Sequence, residues 1–460
     1  MDKIDLLRKR REKLLASGSD IRKQISAIVD ESSFIELDAY SFSHNDFYDE
    51  DTAGEGVVTG YATIDDTPVY VIAQNVKVLS GGVSYSNCKK IVKCLNKAQE
   101  TGYPVVYLLD SLGVQVGEGV NVLEGMAEVL SKASDLKGEV TQISVVLGKL
   151  YGTFALLTAN CDFNFMLNGS QVAYASPLVL SAVSGKNLPA SDVAGAKASK
   201  YNGLTTFEVD AIEDVREKLV ELFAILPAYA DSVVDTNDDL NRAMESLNEK
   251  ACHKCIISAV FDDGKCLELS KSFCPEVITA IGRVGGISVG AIIFAGEENG
   301  VELTLNNVLK IKDFAYFASE NGLPLLTFVN TAGIKADLTT SNSPVMKEIC
   351  NLISALKSNV RLSVVYGKAV GLGYTLFASK SLGVDYTYAF ANSHIALFSG
   401  AVSVAHFGDV REDKIDALEE KYAEENADPI NAAKNGYVDN IIEPQFVRPY
   451  VISALQMIVR

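Results

Sequence analysis

Four glycine-containing loops carry the residues whose type and spacing suit chemistry: 110–119, 148–154, 330–337 and 367–374. Each follows an apolar stretch that reads as a buried strand. A glycine there lets backbone N–H groups approach a ligand closely. Small residues entering a helix after such a turn leave its first N–H groups unpaired and pointing outward. Donors of this kind hold an oxyanion without a charged side chain. Tight turns needed only for packing have the same composition, so the weight lies on the loops forming two matched pairs.

Other chemistries find little support. No Walker-type Gly-Lys-Ser/Thr loop, Gly-x-Ser-x-Gly elbow or His-Glu-x-x-His pair is present. His44, His253, His394 and His406 stand in no triad context, and His406 reads as a packed or surface residue. Cys252-His253-Lys254-Cys255 has the spacing of half a zinc site. It reads better as packed thiols, because residues 254–260 look like the end of a helix entering a strand. Asp65-Asp66 and Asp262-Asp263 read as solvated turn residues.

The elements that position the loops occur twice. Val29-Asp-Glu-Ser-Ser-Phe-Ile-Glu-Leu37 resembles Phe261-Asp-Asp-Gly-Lys-Cys-Leu-Glu-Leu269, and 59–74 resembles 279–294. Gly102, Pro104, Asp110, Ser111 and Gly113 recur as Gly322, Pro324, Asn330, Thr331 and Gly333. Ser144-Val-Val-Leu-Gly-Lys-Leu-Tyr-Gly152 recurs as Ser363-Val-Val-Tyr-Gly-Lys-Ala-Val-Gly371. Four pairs in one order imply two copies of one unit. Apolar strands alternate with helical stretches such as 122–133 and 345–357, which predicts a layered α/β fold. The hairpin-like first strand pair predicts a mixed sheet. The expected division is a first domain over 1–230, an Asp/Asn/Ser-rich linker over 231–250 and a second domain over 251–460.

The chain's 460 residues suit two or three domains, and 48% hydrophobic with 22% charged residues is ordinary for a globular protein. A formal net charge of −18 repels nucleic acid and anionic membranes, so neither is an expected partner. No run of 18 uncharged apolar residues predicts a membrane span, and the charged N-terminus carries no apolar signal core. Eight irregularly spaced cysteines suggest reduced thiols in a cytoplasmic chain.

At the loops and their neighbours the chain resembles the carboxyltransferase (beta) subunits of biotin-dependent acyl-CoA carboxylases and sodium-pump decarboxylases. The propionyl-CoA carboxylase and methylmalonyl-CoA decarboxylase type is nearest. The carriers are Gly56-Val-Val-Thr-Gly-Tyr-Ala-Thr-Ile64, Ala73-Gln74, Ser80-Gly-Gly82, Asp110-Ser-x-Gly113 and Glu118-Gly119. In the second half they are Ser379-Lys-Ser-Leu-Gly-Val-Asp385 and Ala427-Asp-Pro-Ile-Asn-Ala-Ala-Lys-Asn-Gly-Tyr-Val-Asp439. The resemblance implies two tandem crotonase/ClpP-like (ββα spiral) domains. It implies a homo-hexamer (a trimer of dimers), each active site lying between the first domain of one subunit and the second domain of its dimer partner. The first domain would hold a short acyl-CoA and the second carboxybiotin, with backbone N–H groups stabilising the thioester enolate and the ureido oxygen. Gly152, Thr153, Gly371 and Leu372 would be the donors. Gly113, Gly195, Ala196, Gly333, Ile334 and Gly373 would shape the pockets. Val345-Met-Lys-Glu348 lacks the second Met of a biotinyl-lysine motif. Biotin would therefore arrive on a separate carrier protein, accompanied by biotin carboxylase or decarboxylase subunits.

The sequence departs from the resembled pattern in the loops. Ala-Gly-Gly-Ala becomes Tyr151-Gly152-Thr153-Phe154, and Tyr-Gly-Gly-Ala becomes Val370-Gly371-Leu372-Gly373. Asp-Ser-Gly-Gly-Ala-Arg becomes Asp110-Ser111-Leu112-Gly113-Val114-Gln115. Pro-Gly-Phe becomes Ala332-Gly333-Ile334, and the Gly-Gly-Ala-x-x-His segment reads Ala194-Gly195-Ala196-Lys197-Ala198-Ser199. Two alternatives to carboxyl transfer stay open at this point. One is a paralogue that has lost catalysis and scaffolds a complex. The other is a biotin-independent acyl-CoA hydratase or thioesterase, for which Glu118 is the candidate base.

Overall fold

Residues 105–109 and 325–329 are apolar almost without alternation, the pattern of strands covered on both faces. In the computed structural model, which describes residues 2–41, 53–195, 198, 201–398 and 415–459, both are central strands. They lie in separate units, Met1–Phe223 and Ala224–Arg460.

The first unit contains β1 (Ile35–Leu37), β2 (Val57–Ile64), β3 (Thr67–Gln74), β4 (Val105–Ser111), β5 (Gln142–Tyr151), β6 (Phe163–Leu167), β7 (Gln171–Ala173) and β8 (Phe207–Val209). They pair in the order β1-β2-β3-β4-β5-β6-β8, with β7 beside β5. The second unit contains β9 (Leu267–Leu269), β10 (Val277–Val284), β11 (Ile287–Phe294), β12 (Val301–Leu303), β13 (Leu325–Ile334), β14 (Arg361–Val370), β15 (Tyr386–Phe390), β16 (His394–Ala396) and β17 (Asn440–Ile442). Here the order is β9-β10-β11-β13-β14-β15-β17, with β12 beside β13 and β16 beside β14. In each sheet an antiparallel hairpin feeds a parallel array, so the sheet is mixed as expected.

The duplication extends to register. Val57 faces Gln74 as Val277 faces Phe294, and Tyr70 faces Val105 as Gly290 faces Leu325. Both central pairs slip register at one place, between Leu109 and Ser111 and between Val329 and Thr331. Each crossover helix has a polar start and a glycine stop. Ser84 caps Tyr85–Thr101 by accepting the Asn87 N–H, and Thr304 with Asn307 forms a capping box on Leu305–Glu320. Gly102 and Gly322 turn out of these helices at φ +73 and +64. The next prolines then re-enter the sheet, their carbonyls accepting from Tyr70 and Gly290 N–H. The expected helices at 122–133 and 345–357 are Val120–Asp135 and Val345–Lys357.

At the N-terminal ends of the parallel strands, each unit ties its hairpin with an aspartate and an arginine. Asp30 accepts the Asp65 and Asp66 N–H groups, and Asp262 those of Gly285 and Gly286. Arg216 bridges Asp30 and the Ile28 carbonyl, while Arg448 bridges Asp262 and the Val260 carbonyl. Burial opposes ionisation of Asp30, yet the Thr63 hydroxyl, Arg216 and the two N–H donors hold its carboxyl well below the usual range. Held by the Gly285 and Gly286 N–H groups and by Arg448, with its side chain 11% exposed, Asp262 is an anchor rather than a solvated turn residue. Residues 231–250 run within the second unit: Val234 N–H donates to Gly286, Ser288 N–H to Ser232, and Asp238 pairs with Arg242 and Arg448.

The stretch expected to end a helix at 254–260 instead begins one, His253–Val260, capped by Cys252. Cys252 and Cys255 are disulfide-bonded, which corrects the expectation of reduced, packed thiols; the other six cysteines are free. Among the described residues no cluster of three His, Cys, Asp or Glu side chains could hold a metal, and no helix is long and apolar enough to cross a membrane.

Candidate active site

Strand β4 ends in the turn Ser111-Leu112-Gly113. The Ser111 hydroxyl accepts the Gly113 N–H at 3.2 Å, and Gly113 sits at φ +129. The counterpart on β13 is the Thr331 hydroxyl accepting the Gly333 N–H at 3.1 Å, with Gly333 at φ +94. These side-chain turns sit at equivalent places, ending β4 in the first unit while β13 in the second runs on to Ile334 beside β12. In the first unit the loop is tied to residues 79–83. Val83 N–H donates to Gly113, Gln115 N–H to Val83, and the Gln115 amide to Leu79. Gly81 must be glycine, because a Cβ there would lie 2.1 Å from the Asp110 carbonyl oxygen.

A second feature escaped sequence reading. Asp110 Oδ1 accepts the Lys149 N–H at 3.1 Å, and Asn330 Oδ1 accepts the Lys368 N–H at 2.9 Å. A Cβ on Gly148 would lie 2.6 Å from the Asp110 carboxylate, and one on Gly367 2.4 Å from the Asn330 amide oxygen. The glycines at 148 and 367 therefore admit a polar side chain from the neighbouring strand, at the point where β5 passes from pairing with β6 to pairing with β7 and β14 from β15 to β16. The matched Asp/Asn and Gly-Lys spacing was the signal available in the sequence. Burial raises the Asp110 pKa, and the Lys149 N–H partly opposes this.

Beyond these locks lie the two glycine turns at 152 and 371. Gly152 takes φ +84 and donates its N–H to Ala173 at 3.1 Å; Gly371 takes φ +52 and donates to Ala396 at 3.0 Å. Both glycines thus supply the turn, while their own N–H groups close the β5–β7 and β14–β16 ladders. The next residues enter helical turns, Thr153–Ala155 and Leu372–Phe377. Among the described residues nothing accepts the N–H of Thr153 or Phe154, nor that of Leu372 or Gly373. These are the outward donors of each turn. Phe154 turns its ring into the core, 1% exposed, so its bulk does not occupy the turn's open side.

Gly333, Gly371 and Gly373 come together in the second unit. A Cβ on Gly373 would lie 2.5 Å from Thr331 Cγ2 and 3.5 Å from Gly333 Cα, and one on Gly333 would lie 3.1 Å from the Val370 oxygen. Ile334 sits at the end of β13, beside Leu303. In the first unit Ala194 accepts the Val172 N–H at 2.7 Å, which places Gly195 next to β7. Its counterpart is Ala427, which accepts the Ile395 N–H at 2.9 Å beside β16. The 427–439 motif is thereby brought to the second unit's turn, a placement its sequence did not reveal. Ala196, like His44 and His406, lies outside the described residues.

Glu118 is buried, and its carboxylate accepts the Tyr85 N–H at 2.6 Å, at the start of the Tyr85–Thr101 helix. Its place is a structural one, which weakens the reading of Glu118 as a base. A cavity of about 570 Å³ lined by Arg22, Asp30, Phe34 and Arg216 lies at the hairpin-turn end of the first sheet and is not part of this site.

Two glycine turns with open backbone donors, repeated on duplicated α/β units, define a crotonase-like carboxyltransferase architecture. The carboxyl transferase domain family matches residues 16–460. Methylmalonyl-CoA decarboxylase subunit alpha of Veillonella parvula is 32% identical across 99% of this chain and 96% of its own length. A propionyl-CoA carboxylase beta chain of Roseobacter denitrificans is 30% identical across 94% and 89%. A transcarboxylase 12S crystal structure, described as a hexamer with methylmalonyl-coenzyme A and methylmalonic acid bound, superposes with a TM-score of 0.91 at 24% identity, covering 99% of this chain and 95% of that one. The chain belongs to the carboxyl transferase domain family, and it is a carboxyltransferase of the biotin-dependent acyl-CoA class with two tandem crotonase-like domains.

Proposed function

We propose that the first unit holds a short-chain acyl-CoA, that the second holds the biotin head group, and that a carboxyl group passes between them. The observation that carries this reading is the pair of open-donor turns, Gly152-Thr153-Phe154 and Gly371-Leu372-Gly373, at equivalent positions of the two units. In the first unit, Thr153 and Phe154 N–H meet the thioester oxygen as it gains charge in the enolate. In the second, Leu372 and Gly373 N–H meet the ureido oxygen of biotin as it gains charge when the carboxyl group leaves, and the cradle around Gly373 leaves no room for a Cβ. Carboxybiotin supplies the activated carboxyl group. The chain supplies position and oriented dipoles, so no protein nucleophile is required.

The altered loops keep glycine at the positive-φ position of both turns, so the backbone geometry this reading needs is retained. Biotin reaches the second unit on a separate carrier protein, and the working assembly is a homo-hexamer associated with carboxylase or decarboxylase subunits. The relatives' names support the acyl-CoA class but leave the acyl group and the physiological direction as matters for assay.

The test measures loss of carboxylate from malonyl-CoA and methylmalonyl-CoA by the purified protein, with free biotin or biocytin as acceptor. Turnover that requires biotin is expected. Absence of turnover from folded, oligomeric protein would overturn the reading in favour of a scaffold. Biotin-independent loss of acyl-CoA would overturn it in favour of a hydratase or thioesterase.

A further inference from the structure

The carboxyl-transfer reading has no use for Cys252 and Cys255, yet their placement differs from that of every other cysteine. Cys252 is the N-cap of the eight-residue His253–Val260 helix, in extended conformation at φ −131 and ψ 156. Its sulfur accepts the Cys255 N–H at 3.2 Å, so it sits over the positive end of the helix. The two Cα atoms are 5.1 Å apart, within the ordinary range for a bonded pair. Both residues are half-buried, and Lys254 between them is exposed, so an incoming thiol can reach the pair.

A thiolate at an N-cap beside basic side chains is stabilised relative to a free thiol. Here Lys254 is the adjacent cation; burial and Lys254 push the neighbouring His253 towards its neutral form, with Glu268 opposing. The remaining thiols face the opposite condition. Burial pushes Cys88, Cys94 and Cys266 up to about 12, Cys274 to about 11 and Cys161 well above its ordinary value. Cys350 is exposed but free.

We propose that Cys252 and Cys255 form a redox-active pair that exchanges with dithiols, Cys252 being the sulfur that carries the mixed disulfide. A donor thiolate attacks the Cys252 sulfur, forming a donor–Cys252 bond and expelling the Cys255 thiolate, which takes up a proton. The donor's second thiolate then attacks its own bonded sulfur and releases the Cys252 thiolate onto the helix N-terminus. The donor loses two electrons and two protons and becomes a disulfide; the pair gains the two electrons and one proton, as the Cys255 thiol and the Cys252 thiolate, and the second proton passes to solvent.

The test equilibrates the full chain with mixtures of reduced and oxidised dithiothreitol, quenches in acid, alkylates and maps the peptides. One two-electron transition confined to Cys252 and Cys255 is expected. In the reduced protein, Cys252 should alkylate at least tenfold faster than Cys350. Cys255→Ser should accumulate one glutathione adduct at Cys252. Cys252→Ser, which keeps a capping oxygen, should form at least tenfold less adduct at Cys255. The proposal is overturned if both thiols stay reduced in oxidising mixtures, if the two variants form adducts equally, or if the reduced pair binds zinc stoichiometrically and resists alkylation.

Discussion

Replacing Thr153 by proline isolates one backbone donor. Thr153 is the first residue of a helical turn, where proline's fixed φ is accepted and its missing N–H breaks no internal bond. The residue before a proline must avoid the helical region, and Gly152 already has ψ −160. Thr153 is exposed, so its side chain carries little packing. The substitution therefore removes one N–H and little else. Loss of a single oxyanion donor costs about 100- to 1,000-fold in kcat, or ~2.7–4 kcal/mol of transition-state stabilisation. Thr153→Ala keeps the N–H and should stay within about threefold of the parent, the change expected of a surface residue. Leu372→Pro applies the same logic in the second unit, since Leu372 opens its helix and Gly371 has ψ −120. The assay is biotin-dependent decarboxylation of malonyl-CoA, with circular dichroism and oligomeric state as controls. If Thr153→Pro folds, assembles and retains a kcat within a few-fold of Thr153→Ala, the oxyanion assignment in the first unit is wrong.

Three further outcomes follow from the packing. Gly373→Ala sets a Cβ 2.5 Å from Thr331 Cγ2, so it should lower stability by ~1–3 kcal/mol in urea unfolding. Thr331→Ser removes that methyl but keeps the hydroxyl, and should recover most of the loss in the double variant. Arg448 is fully buried against Asp262, whereas Arg216 and Asp30 are 33% and 24% exposed. Arg448→Met should therefore cost ~3–5 kcal/mol and Arg216→Met about 1 kcal/mol, and equal costs would refute the argument from burial. Glu55 is buried, with no partner for Oε1 among the described residues; burial raises its pKa from 4.5 to about 7, Lys90 opposing and Glu118 adding to the rise. Its folded state then holds a proton that the unfolded chain has lost. Stability from this group is full below pH 4.5 and falls as pH rises to about 7, by about 3 kcal/mol at most, and Glu55→Gln should flatten that slope in urea titrations at pH 5 and 8.

What the sequence made legible was whatever depends on local pattern. The central strands, the glycine stops after the crossover helices and the matched turns at Gly152 and Gly371 follow from apolar runs and glycine spacing, and the second copy repeats them. What stayed hidden depends on partners far along the chain. Nothing around Asp262 announces that Arg448, 186 residues away, will hold it. Asp110 and Gly148 look like separate features until strand pairing sets one against the other. Of the four expected donors, Thr153 and Leu372 keep open N–H groups, while those of Gly152 and Gly371 are bonded to Ala173 and Ala396. A glycine in a loop shows where the chain can turn, but only the β5–β7 and β14–β16 ladders show that its N–H is already used.

Those ladders also explain how the loops can diverge without losing their geometry. A backbone donor belongs to the chain and not to the side chain, so any residue except proline can supply it. The constraint falls on the residue before, which needs positive φ, and on positions where a neighbouring strand leaves no room for a Cβ. Gly152 and Gly371 meet the first condition; Gly148, Gly367 and Gly373 meet the second. Threonine and phenylalanine at 153 and 154, and leucine at 372, fall where neither condition applies. Phe154 is in fact spent on the core beneath the turn. Substitutions that look like decay in the one-dimensional motif therefore leave the steric requirements of both turns satisfied.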